Sequence, residues 1–209
     1  MQDTHFSSGY IMPAAPNQFI PDFYDNLDQT LGEAWRAIGR GTVDRRSPMH
    51  TPAVATTGLD GSPRMRTVVL RQIDIASRTL RFHTDRRSEK FKELKADPRA
   101  CLMAYDPTRK IQVRLNGTVV LHTADEVAAL SWSQSRPMSQ VCYQQNASPG
   151  TPVLEPFAPA PPGAGGYENF VVVRFNVAEL EWLYLAAQGH RRARFTWHDG
   201  IATQSWLAP

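Results

Sequence analysis

Between Arg64 and Arg99 the chain gathers eleven of its 23 lysines and arginines against five acids, Asp74, Asp85, Glu89, Glu93 and Asp97. Inside that segment Arg66 and Arg71 bracket the run Val68-Val69-Leu70, Phe82-His83-Thr84 follows, and Ser88-Glu89-Lys90 opens a stretch of helical character. Guanidinium forks offer paired donors, a lysine adds a point charge, hydroxyls add short donors, and the uncapped N–H groups of a helix start favour negative charge. Residues of these types in this order suit a phosphate monoester. Other chemistries lack their signatures: there is no Gly-x-Ser-x-Gly, no His-Glu-x-x-His, no Walker loop, and no Gly-x-Gly-x-x-Gly before a helix. Cys101 and Cys142 have no Cys or His at metal-ligand spacing, so they read as buried thiols rather than a zinc site or a disulfide framework.

The elements that must position these side chains belong to a chain of 209 residues, 42% hydrophobic and 21% charged, long enough for one generous domain. A formal charge of +3 is too mild for a phosphate-tracking surface, so no nucleic-acid partner is expected. No apolar run approaches the roughly 20 residues of a spanning helix, and Met1-Gln2-Asp3 does not open a secretory signal; no membrane partner and a cytoplasmic address are expected. Residues 1–24 read as an N-terminal arm and residues 25–209 as the domain. Six of the sixteen prolines fall between Pro149 and Pro162, with Gly163, Gly165 and Gly166 behind them, marking 149–166 as an irregular loop.

Leu27, Leu31, Trp35 and Ile38 recur at helical spacing behind a cap at Asp25 or Asn26, which predicts a helix ending near Gly39 and Gly41. The period then changes to alternation. Pro52 to Thr57 and Arg64 to Gln72 read as a hairpin around Asp60-Gly61, with further strands at Thr79 to Thr84, Ala100 to Tyr105 and Ile111 to His122. Ser88 caps a short helix through Leu94 that Asp97-Pro98 ends, and Thr123 with Glu126 forms a capping box for a helix over 124–133. Strand character resumes at Phe170 to Phe175, Leu180 to Leu185, Arg192 to Trp197 and, past the turn at His198-Asp199-Gly200, Ile201 to Trp206. Many strands and three helices without a βαβ rhythm predict a mainly β fold, an antiparallel barrel with peripheral helices.

Six ordered blocks then carry a resemblance. Arg66-Thr67-Val68-Val69-Leu70-Arg71, Phe82-His83-Thr84-Asp85, Ser88-Glu89-Lys90, Asp97-Pro98-Arg99-Ala100, Gln112-Val113-Arg114-Leu115-Asn116-Gly117 and Ser135-Arg136-Pro137-x-Ser139-Gln140 resemble the pyridoxamine 5′-phosphate oxidase family over about Thr51 to Gln140. The likeness returns at Glu181-Trp182-Leu183, Arg194-Phe195 and Leu207-Ala208-Pro209. It implies an FMN-binding split β-barrel that forms a homodimer with the flavin at the subunit interface. It further implies an oxidoreductase that transfers a hydride between a small-molecule substrate and FMN, reoxidised by oxygen. Arg66 and Lys90 would hold the flavin phosphate with Thr84 and Ser88 in support and His83 alongside. Thr67, Val68, Val69, Leu70 and Arg71 would run along the cofactor, Gln112 would meet the polar edge of the ring, and Arg194 would be a late flavin contact. On the substrate side the resemblance implies Arg71, Trp132, Arg136 and Ser139 as the phosphate grip. Here the chain departs from the family pattern: Trp132 stands where a tyrosine is usual, one residue is missing between Arg136 and Ser139, and His190-Arg191-Arg192 replaces a late Arg-x-His pair. A flavin-binding protein without turnover, or a relative using deazaflavin or haem with His83, His122 or His190 as axial ligand, stays open beside the oxidase reading. No catalytic acid–base residue and no metal site is implied, since hydride chemistry belongs to the cofactor.

Overall fold

The computed structural model describes residues 21–155, 163, 165–186 and 189–209; the expected arm therefore lies almost wholly outside the described residues, as does much of the Pro/Gly-rich loop. Helix α1 (Leu27–Val43) starts where the sequence places it, with the Asn26 side chain accepting from Gln29 N at 3.0 Å. Its Ala34, Trp35, Ala37 and Ile38 are buried against the sheet, and Trp35 meets the ring of Trp197 at 6.1 Å. The helix runs slightly past Gly39 and Gly41. Gly41 does not end it but lets the last turn lie on the 3-10 turn Pro48–His50, where a Cβ would strike the Met49 carbonyl.

Strands β1 (Ala53–Thr57) and β2 (Pro63–Thr67) form the expected hairpin, with Gly61 at φ 79° in its turn. The strand expected over Arg64 to Gln72 is two strands. Val68 N donates to Pro52 O at 3.0 Å, Val68 and Leu70 turn into the core, and β3 (Leu70–Asp74) pairs elsewhere, with β4 (Thr79–Asp85). Helix α2 (Glu89–Ala96), β5 (Arg99–Asp106), β6 (Ile111–His122), α3 (Glu126–Ser133), α4 (Pro137–Gln140), β7 (Phe170–Tyr184), β8 (Arg191–His198) and β9 (Ile201–Leu207) follow. The sheet is antiparallel in every described pairing, ordered β2-β1-β5-β6-β7-β4-β3, with β8 on β7 and β9 on β8. β2 and β3 are thus opposite ends of one sheet, yet only Val68 and Val69 separate them. From Thr67 to Leu70 is three residue steps, at most about 11 Å, or roughly two strand spacings, whereas five strands lie between β2 and β3 in the sheet order. The sheet must therefore curl until its ends meet, a barrel split at Val68-Val69.

Three other expectations are corrected. The strands read at Phe170 to Phe175 and Leu180 to Leu185 are one 15-residue strand, β7, paired with β6 from Val172 to Tyr184, with β4 beside its first half and β8 beside its second. Between the two apolar runs β7 carries a bulge, not a turn: Asn116 pairs with Glu179 and Gly117 with Val177, leaving Ala178 as the extra residue. Helix α3 is capped by Asp125, whose side chain accepts from Ala128 N at 2.9 Å, after Ala124 turns the chain at φ 54°, so the Thr123–Glu126 box is not made. Cys101 is half-buried and Cys142 exposed, against the expectation that both are buried. The barrel interior is one apolar cluster in which Phe82, Phe175, Leu180, Trp182 and Phe195 are almost fully enclosed. Because strand side chains alternate, β4 sends Leu80, Phe82 and Thr84 inward and leaves Arg81 and His83 on the other face.

Candidate functional site

At the end of β4 the hydroxyls of Thr84 and Ser88 lie 3.2 Å apart, both buried, and Lys90 Nζ donates to Thr84 Oγ1 at 2.9 Å. Ser88 occupies the N-cap of α2 but does not cap it; its hydroxyl donates to Asp85 O at 2.7 Å, leaving the amides of the first turn without a side-chain acceptor. Burial, and then the nearby charge of Arg66, hold the Lys90 ammonium below the usual lysine range. Among the described residues no carboxylate oxygen lies within 4 Å of it. Arg66 reaches the same corner from β2, but not as a free cation: its Nη2 donates to Glu93 Oε2 at 2.7 Å, and its Nη1 meets Thr56 Oγ1. Thr56 Oγ1 also donates to that Glu93 oxygen at 2.6 Å. Glu93 is the buried counter-ion that sequence reasoning missed; its place one turn after Lys90, facing a β-strand, is the signal available. The net positive charge of the cradle is therefore that of Lys90.

Beside the split, a cleft of about 290 Å³ opens over β3 and β4. Its floor carries Leu70, Arg71, Arg81 and His83; one wall is the end of α1 with Arg45 and His50, another the α3–α4 region with Ser135, Arg136 and Ser139. The sequence-predicted Arg71, Arg136 and Ser139 are thus brought together although Arg136 is 65 positions from Arg71. Trp132 does not line the cleft. Its ring packs among Phe170 (5.1 Å), Tyr143 (5.9 Å) and Tyr167 (5.9 Å), while its carbonyl accepts from Gln140 Nε2 at 2.9 Å. Arg45, His50 and Arg81 were missed; Arg81 was legible, because two residues before His83 on a strand means the same face.

His83 packs edge-on against Phe170 at 4.7 Å, and burial, then Arg71 and Arg81, push its pKa down to about 4. The folded protein keeps this imidazole neutral while the unfolded chain takes up a proton near pH 6.5, so stability falls as pH drops from about 6.5 to about 4. The loss expected over that interval is a few kcal/mol, and His83→Phe should flatten this part of the stability–pH curve in denaturant titrations. An unchanged slope would show that His83 is not desolvated by this floor.

Gln112 lies on β6 between Tyr105 and Leu183, and Arg194 on β8 opposite Glu181; neither lines the cleft. Arg194 sits 3.5 Å from Glu179 and 3.8 Å from Glu181, and the buried Glu181 also takes Arg114 and Arg192, each at 2.7 Å. By alternation Gln112, Arg114, Glu181, Arg192 and Arg194 share one face of β6, β7 and β8, with Val113, Leu115 and Trp182 on the core side. Of the predicted cofactor strand, Val68 and Leu70 face the core while Thr67 is exposed. His122 Nδ1 pairs with Asp125 at 2.8 Å, and His190 Nδ1 accepts from Ala186 N at 3.2 Å. Among the described residues no helix is long and apolar enough to cross a membrane.

Residues 47–156 match the sequence profile of the family described as pyridoxamine 5′-phosphate oxidase. A pyridoxine/pyridoxamine 5′-phosphate oxidase of Thermosynechococcus vestitus is 41% identical over 85 residues, which are 41% of this chain and 38% of that protein, so this match spans well under two thirds of the relative. The enzyme of the same name from Hyphomonas neptunium is 29% identical over 182 residues, covering 79% of this chain and 78% of its own. A solved structure of a pyridoxamine 5′-phosphate oxidase-related, FMN binding protein from Nostoc punctiforme superposes with a TM-score of 0.71 at 23% identity, over 85% of this chain and 96% of that one. At that identity the likeness speaks for the fold.

Proposed function

The chain belongs to the pyridoxamine 5′-phosphate oxidase family, and from that footing we propose that it is an FMN-dependent oxidoreductase. In this reading it transfers a hydride between a small phosphorylated substrate and the flavin, with dioxygen as reoxidant. The observation that carries the proposal is the Lys90 corner: a half-buried ammonium whose only polar side-chain contact among the described residues is the Thr84 hydroxyl, with the buried Ser88 hydroxyl and an uncapped helix start beside it. Such a corner is left with an unmet demand for negative charge, which a phosphate tail meets. These residues fit FMN.

Lys90, Thr84, Ser88 and the α2 amides would hold the phosphate, with Arg66 fixed at its side by Glu93. The crossing at Thr67 to Leu70, where the barrel is split, would lie along the cofactor. Gln112 would meet the ring's polar edge and Arg194 a further flavin atom; both stand on a face outside the cleft, a placement that supports a homodimer with the flavin where two copies meet. FMN, when bound, supplies the hydride-accepting ring. The chain's own work is orientation: Arg71, Arg136 and Ser139 grip the substrate phosphate and fix its ring against the cofactor, and the neutral His83 offers a hydrogen-bonding partner without a charge. No side chain needs to act as a strong base.

The test is the absorbance of freshly purified protein and a titration of Lys90→Met with FMN. Yellow protein is expected, and the variant should bind FMN roughly ten- to a hundredfold more weakly, the loss of one charge-assisted contact. Colourless protein that refuses added FMN would remove the proposal. Turnover of pyridoxamine 5′-phosphate with release of hydrogen peroxide checks the substrate class. Trp132, packed away from the cleft, favours a second reading in which flavin is held without turnover of this substrate, and absence of turnover in FMN-loaded protein would select it.

A further inference from the structure

The cleft over β3 and β4 carries more positive charge than one phosphate ester can use. Arg45, Arg71, Arg81 and Arg136 all line it, and among the described residues no aspartate or glutamate does. Among the described residues, arginines in other parts of the fold are widely paired: Arg66, Arg87, Arg109, Arg114 and Arg192 each hold a carboxylate within 3 Å. No described carboxylate lies within 4 Å of any of the four cleft arginines. A phosphate monoester brings about −1.5 to −2 at neutral pH, which Arg71, Arg136 and the Ser139 hydroxyl are placed to take up. Arg81, on the floor, and Arg45, in the turn after α1, are then left facing the same space of about 290 Å³. Arg71 and Arg81 also flank His83, whose imidazole is held neutral first by burial and then by these two charges.

We infer that the molecule this cleft takes carries a second acid group besides its phosphate, and that Arg81 and Arg45 are the side chains that select it. The inference rests on the reading of Arg71, Arg136 and Ser139 as a phosphate grip and adds to it the substrate class, a phosphorylated ring that bears a carboxylate in addition to the alcohol or amine carbon from which the flavin takes its hydride. Two guanidinium groups on separate elements discriminate by charge and by hydrogen-bond direction together, so a carboxylate between them is favoured over a neutral group of the same size.

Two probes of matched size separate the possibilities: pyridoxal 5′-phosphate, and 4-pyridoxic acid 5′-phosphate, in which a carboxylate replaces the aldehyde. Calorimetric titration of the FMN-loaded protein at low salt should show the acid binding at least tenfold tighter. That ratio should fall several-fold in Arg81→Gln and in Arg45→Gln, approach one in the double variant, and shrink with added salt. Arg136→Gln should weaken both probes alike and leave the ratio standing. Equal affinity for the two probes in the parent protein would overturn the inference while the phosphate grip survives. A high ratio indifferent to Arg45 and Arg81 would overturn it too, as would Arg45→Gln and Arg81→Gln variants that change subunit dissociation and not the ratio. If neither probe binds, or Arg136→Gln alters neither affinity, the phosphate grip itself fails and the inference falls with it.

Discussion

Arg66→Ala is expected to lower the unfolding free energy by roughly 2–4 kcal/mol, a fall of about 5–15 °C in melting temperature for a domain of this size. The cause is Glu93, whose side chain is 4% exposed and whose Oε2 is held by Arg66 and Thr56. Removing the guanidinium leaves a buried carboxylate with one hydroxyl for company. Arg66 itself is 23% exposed, which keeps the figure below that of a fully enclosed pair. FMN affinity should fall in the same variant, because α2 and its free amides are pinned to the β1–β2 hairpin through this pair. Arg66→Met with Glu93→Leu should recover much of the stability and not the affinity, and Lys90→Met should weaken FMN with little change in melting. A melting temperature unmoved by Arg66→Ala would mean that the ion pair does not form.

Gly117→Ala should destabilise the fold by about 3 kcal/mol and leave little folded protein at elevated temperature, read by thermal melts followed by circular dichroism. Gly117 faces Val177 next to the irregular step at Asn116, and a methyl group there would strike the Asn176 carbonyl and crowd the Phe175 ring. Neither neighbour can retreat: Asn176 is in backbone pairing with Thr79 and Thr118, and Phe175 is fully enclosed. Normal melting of this variant would show that β6 and β7 do not approach as closely as described.

Much of this was legible in the residues, for identifiable reasons. β6 is recovered to the residue because its β-branched alternation is uninterrupted, and α1 because its apolar stripe and Asn26 cap are local signals. Arg64 to Gln72 reads as one strand because a run of alternating character does not announce where its hydrogen-bond partner changes; only the closure of the sheet breaks it at Val68-Val69. β7 reads as two strands because a bulge and a turn both place polar residues between apolar ones. At the site, Arg66, Lys90, Thr84 and Ser88 do converge, yet composition could not say that Arg66 arrives already neutralised, since Glu93 lies on another element. Arg45 and His50 were invisible for the same reason: they enter the cleft from the loop after α1, which carries no periodic signal.

The pairing of β7 has a consequence for how the molecule is made. β4 and β6 both depend on a strand near the end of the chain, with Thr79 facing Asn176 and His122 facing Val172. During synthesis their edges emerge from the ribosome long before that partner does, exposing unpaired amides and the apolar faces of Leu80, Phe82, Val113 and Leu115 to neighbouring nascent chains. The charged residues lying between these apolar positions, Arg81 and Arg114 among them, discourage such premature edge-to-edge association until Phe170–Tyr184 arrives.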